Sequence, residues 1–130
     1  MEDLKLYDEY ECISLPKEKV TKESYFVKTY NSFMRNVELT LAEKSLYIYI
    51  IGFGNSCFVS QKTMMRDLGI TKPTLRKVLR NLEEKGYIYI QHRYAEDNNE
   101  RLTNVYRYVP VDKNTGKPIK EIFQYYQDRY

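Results

Sequence analysis

From Thr71 to Glu84 the chain reads TKPTLRKVLRNLEE, and its cationic side chains Lys72, Arg76, Lys77 and Arg80 recur at helical spacing. At about 100° per residue, Leu75, Val78, Leu79 and Leu82 share one arc of roughly 100°. Pro73, Arg76, Lys77, Arg80 and Glu84 take the opposite arc, with Lys72 and Thr74 flanking its N-terminal end. A guanidinium is a planar fork that matches O6 and N7 of guanine. A lysine is a point charge for phosphate or guanine, and a threonine offers a hydroxyl or a methyl to base edges. These residue types on one helix face can read duplex DNA. The blander reading is an amphipathic core helix with a salt-bridged exterior, to which Arg80 and Glu84 at i, i+4 spacing lend support. Agreement between charge, turn chemistry and the segment that follows favours DNA.

Such a face needs elements that hold it out. Ser60 can cap a short helix through Leu68, which Gly69 ends in a left-handed conformation. Thr71 caps the next helix, Pro73 sits in its first turn where an N–H would have no intrahelical partner, and Gly86 closes it. Two helices joined by only Gly-Ile-Thr match a helix-turn-helix, in which the first props the second for the major groove. The N-terminus of the second helix and Ser60 can add donors to phosphate. Further upstream, Thr40 and Glu43 form a capping box at the head of TLAEKSLYIYIIGFG, with Gly52 and Gly54 as its stop. Leu41, Leu46, Tyr47, Ile48, Tyr49, Ile50 and Ile51 fall on every side of that helix, so it is buried on most faces, in a core or against a partner.

YFVKTYNSFM (25–34) suits a strand or a short helix, and Cys57 to Ser60 a brief extended piece. YIYIQHRY (87–94) reads as a strand, AEDNNER (95–101) as a turn and LTNVYRYV (102–109) as a returning strand. A hairpin directly after the basic helix gives a mainly α fold with a β-hairpin wing, a winged helix-turn-helix. His92, Arg93, Arg101, Asn104 and Arg107 are the wing's candidate contacts. Glu96, Asp97 and Glu100 would repel a phosphate backbone, so either the tip stands away or only the strands and Arg101 touch DNA. The organisation is an acidic arm (1–24), the winged helix-turn-helix (25–109), and a C-terminal loop and short helix or linker (110–130).

Net charge is +3 over 130 residues, divided as −3 over residues 1–24 and +6 over the rest. Residues 60–94 carry eight basic and three acidic side chains, a local excess suited to a polyanion. The chain has one His and two Cys without CxxC spacing, so a His-based triad, a metal cluster or a disulfide framework has little material. No Gly-rich phosphate cradle occurs. The expectation is a non-enzyme without metal or cofactor, with free thiols in a reducing cytoplasm and no membrane span.

FVSQKTMMRDLGITKPTLRKVLRNLEEKGYI, with LTNVYRY downstream, resembles the winged-helix domain at the start of replication initiators of Gram-positive plasmids and phages, of RepA_N type and related. FVKTYNSFM and LTLAEKSLYIYI resemble that family too, so the likeness covers about residues 25–109. The Ser-Gln-Lys start, the Gly turn and LEEKGYI are its most specific parts, and many transcription regulators share them. The candidate DNA-binding set is then Ser60, Gln61, Lys62, Thr71, Lys72, Thr74, Arg76, Lys77, Arg80, Arg93, Arg101, Asn104 and Arg107. The resemblance implies replication initiation at origin repeats; a regulator of the same fold at a promoter operator is the alternative. Such initiators usually carry a further C-terminal domain that engages host replication proteins, and a chain ending at Tyr130 suggests a DNA-binding fragment or a relative without that part. The acidic tip departs from the commoner basic wing. Finally, the all-round apolar helix and the aromatics Tyr25, Phe26, Tyr30, Phe33, Phe123, Tyr125, Tyr126 and Tyr130 exceed what a small three-helix core can bury. This surplus suggests a homodimer paired outside the helix-turn-helix.

Overall fold

The computed structural model describes residues 12–13, 25–98 and 100–130. Two short strands, β1 (Cys12–Ile13) and β2 (Phe26–Val27), pair antiparallel, with Cys12 opposite Val27. The rest of the acidic arm expected over residues 1–24 lies outside the described residues. Next come α1 (Asn31–Met34), α2 (Leu41–Ile51), α3 (Gln61–Leu68) and α4 (Lys72–Glu84). The antiparallel hairpin β3 (Ile88–Gln91) and β4 (Val105–Tyr108) follows, and α5 (Lys120–Arg129) ends the described chain. The segment 25–34 thus holds both a strand and a helix. Among the described residues no helix is long and apolar enough to cross a membrane.

Local chemistry sets the helix ends. The Thr40 hydroxyl accepts the Glu43 amide at 3.2 Å while the Glu43 carboxylate accepts the Thr40 amide at 3.0 Å, completing the capping box of α2. Ser60 accepts the Thr63 amide at the start of α3. Gly69, at φ 66°, ends α3 with the Ile70 amide reaching back to the Met65 carbonyl. At the start of α4 the expectation needs correcting. Thr71 is the N-cap, but its hydroxyl bonds the Thr74 hydroxyl at 3.1 Å and caps no backbone amide.

On α4 the buried residues are Leu75, Val78, Leu79 and Leu82, each contributing about 1.5–3 kcal/mol by leaving water. They pack on α2 and α3 in a core shared with Phe33, Leu46, Tyr47, Ile50, Met64, Tyr87 and Ile88. Cys57 bridges Tyr106 through paired backbone bonds, so a single residue before α3 adds a third strand position beside β4. Cys57 is a free, buried thiol, and burial pushes its pKa up.

Two residues of α2 reverse the expected pattern. Leu41 is 77% exposed, whereas Glu43 is 1% exposed. Glu43 accepts Lys85 Nζ at 2.7 Å and Asn81 Nδ2 at 3.0 Å, both from the end of α4. Burial pushes the Glu43 pKa up, but Lys85, the Thr40 amide and Asn81 outweigh it and hold the carboxyl below its ordinary range.

Residues 110–130 pack onto this body. The turn 112–117 docks on α1, with Ser32 Oγ donating to the Lys113 carbonyl at 2.8 Å. Helix α5 covers the outer face of the hairpin through a second core of Val109, Ile122 and Tyr126, with Tyr89 and Phe123 against it. Much of the aromatic surplus is thereby absorbed within one chain. Phe33 and Tyr126 are buried and Tyr30 and Phe123 partly so, leaving Tyr25, Phe26, Tyr125 and Tyr130 exposed.

Candidate nucleic-acid interface

The face of α4 opposite its leucines is open to solvent: Lys72, Thr74, Arg76, Lys77 and Arg80 are all exposed, as is Thr71 at its cap. Three ion pairs occur among the described residues: Arg66–Asp67, Lys85–Glu43 and Lys117–Glu38. None involves a cation of this face, and the Arg80–Glu84 pair that spacing allowed does not form. Glu83, the other nearby carboxylate, accepts the Ile90 amide at 3.0 Å and so ties α4 to β3. Lys72, Arg76, Lys77 and Arg80 therefore present uncompensated positive charge, while Lys85 is drawn into the Glu43 network.

The start of α3 lies beside this face. Ser60 and Lys62 are exposed and Gln61 half-buried, its Nε2 donating to the Tyr106 hydroxyl at 3.4 Å. The Ser60 hydroxyl both accepts the Thr63 amide and donates to Thr63 Oγ1, so it is engaged within the cap. The amides of Gln61 and Lys62, in the first turn, have no carbonyl to bond within the helix and remain the natural donors to an anion.

The wing supplies the third wall. Its pairing runs from Ile88↔Tyr108 to Gln91↔Val105 and resumes at Tyr94↔Arg101. Three steps on the outgoing strand match four on the return, so residues 102–104 hold an extra residue, a bulge that re-aims the side chains around it. Ser60, Gln61, Arg76, Arg101, Leu102, Thr103, Asn104 and Tyr106 line one cleft of about 520 Å³ between α3, α4 and the wing. The structure thus brings Ser60, Gln61, Arg76, Arg101 and Asn104 together. Asn104 is only 8% exposed, and its Oδ1 has no hydrogen-bond partner.

The remaining wing residues are placed differently. Arg93 donates from Nε to the Thr103 carbonyl at 2.9 Å and lies 5.1 Å from the Phe58 ring centre, bracing the bulge. His92 is exposed. Arg107 is not gathered with the others. It points to the sheet face that α5 covers, donates to Ser56 Oγ at 3.0 Å and Gln91 Oε1 at 3.1 Å, and stacks 3.8 Å from the centre of the Tyr130 ring. Alternation along β4 explains this, since Tyr106 and Tyr108 face the main core and Arg107 between them must face away. Glu96, Asp97 and Glu100 at the tip are exposed. Leu102, Thr103 and Tyr106 were missed as cleft residues; only the bulge reveals them, and sequence alternation carries no sign of it.

Residues 37–88 match the family model described as a helix-turn-helix domain. That span holds α2, α3, α4 and the first residue of β3, to which the structure adds the return strand of the wing. No curated protein and no solved structure matches the chain significantly. The fold is an α+β winged helix-turn-helix.

Proposed function

We propose that the chain binds double-stranded DNA, with the exposed face of α4 in the major groove, and that it does so as a replication initiator at origin repeats. The observation that carries DNA binding is the set of four exposed, unpaired cations on α4, flanked by the first turn of α3 and by the wing. Initiation is favoured by the resemblance of FVKTYNSFM and LTLAEKSLYIYI, upstream of the helix-turn-helix, to plasmid and phage initiators. No catalysed step belongs to this proposal. Two copies on DNA, about one helical turn or 34–36 Å apart, complete it, because a single α4 reads few base pairs. With Phe33 and Tyr126 inside the fold, the pairing surface belongs among the exposed Tyr25, Phe26 and Tyr125.

Footprinting on DNA from the surrounding replicon tests the role. Protection of direct repeats within a replication origin is expected. Protection confined to a promoter operator would replace initiation with transcription regulation while leaving the DNA-binding face intact.

A further inference from the structure

Two features of the cleft between α3, α4 and the wing call for a ligand. Arg76 and Arg101 come from different elements, yet both line it beside the first turn of α3, with its unbonded Gln61 and Lys62 amides. Asn104, more than nine-tenths buried, lines the same cleft with an acceptor oxygen that has no donor. A buried carbonyl oxygen left unbonded is costly, so the site favours a state that brings a donor to it. A phosphate ester alone cannot supply one, because it only accepts. A guanidinium can do both, having five N–H donors in a planar fork: one edge to a phosphate, another to Asn104 Oδ1.

We infer that this cleft clamps one phosphodiester of the bound DNA strand. Arg76 and Arg101 close on the phosphate together with the Gln61 and Lys62 amides, and Asn104 acts as a positioning residue that holds a guanidinium in place through Oδ1. The inference rests on the DNA-binding reading and refines it. It removes Arg76 from base reading and leaves sequence selection on α4 to Lys72, Thr74 and Arg80. It also gives the wing a contact at its base, with the acidic tip standing away from the backbone.

The test compares duplex affinity across a salt series and a panel of single base-pair changes for wild type, Arg76→Ala, Asn104→Ala and the double variant. Arg76→Ala is expected to weaken every duplex by one common factor and to make the dependence of log affinity on log salt less steep, by at most about 0.9, the full value of one phosphate, because Arg101 stays in place. Asn104→Ala is expected to give a loss of the same kind, with little added in the double variant. It removes an unbonded acceptor, so the fold should hold, as circular dichroism would confirm. If Arg76→Ala instead relaxes preference at one base pair with an unchanged slope, Arg76 reads a base and the clamp is wrong. Independent, additive losses would remove Asn104 from it. A titration with inorganic phosphate, followed by amide resonances, separates the two readings. Shifts at Gln61 and Lys62 in a protein that binds no duplex would keep a phosphate site and reject DNA. Silence of those amides would reject the clamp.

Discussion

Gly116→Ala is expected to lower the free energy of unfolding by about 2–5 kcal/mol, the sum of left-handed strain on a residue with a Cβ and overpacking against a neighbour. Gly116 sits at φ 72°, and a Cβ there would press on the Ser32 carbonyl and approach the Phe33 amide nitrogen to 2.7 Å. The turn cannot yield easily. Asp112 Oδ1 accepts the Asn114 and Thr115 amides at 2.8 and 3.1 Å, the Asp112 carbonyl accepts the Gly116 amide at 2.8 Å, and the Gly116 carbonyl accepts the Tyr87 hydroxyl at 3.3 Å. Strain would therefore pass into α1 and loosen Phe33, which packs 4.8 Å from Tyr47, centre to centre. Gly54 provides the control. Its φ is 84° but nothing lies within 4 Å of the added methyl, so Gly54→Ala should show only the backbone strain. Urea denaturation of both variants measures the difference, and equal losses would mean that the docking of the 112–117 turn is not tight.

Arg80→Ala should cost about 1–3 kcal/mol of DNA-binding free energy and relax selectivity at one base position, the signature of a lost bidentate contact to guanine. Arg80 is exposed on the outward arc of α4 and pairs with no carboxylate, so its loss should leave stability within about 0.5 kcal/mol. Lys77→Ala, by contrast, should weaken all sequences alike and flatten the salt dependence if its ammonium meets phosphate. The two signatures are separable in one set of anisotropy titrations on cognate and substituted duplexes. A folded Lys77→Ala/Arg80→Ala double variant with undiminished affinity would place the contact surface elsewhere.

What the sequence displays well is whatever a few neighbouring residues decide. Ser60, Gly69, Pro73 and Gly86 mark the ends of α3 and α4 because caps and left-handed turns act within five residues, and the leucines of α4 show which face is buried. Glu43 shows the limit. Its place in the first turn of α2 is visible, but its burial depends on Lys85 and Asn81, some forty residues away. Arg107 is another case. The pleat puts it opposite Tyr106, but which face meets DNA depends on α5 folding back over the hairpin. Part of the aromatic surplus is absorbed for the same reason. Tyr126 and Phe123 belong to a second core that exists only because the C-terminal segment packs on the sheet. The cleft required a bulge in the wing, which alternating apolar residues conceal.

The most direct measurement is a titration of isotope-labelled protein with a duplex carrying the protected site, read residue by residue. Amide shifts should concentrate at residues 60–62, 71–80 and 101–104, while α5 and the outer face of the hairpin at Arg107 stay still. Shifts confined to α5, or an α4 that does not respond at low salt where the protein is bound, would contradict recognition through this helix.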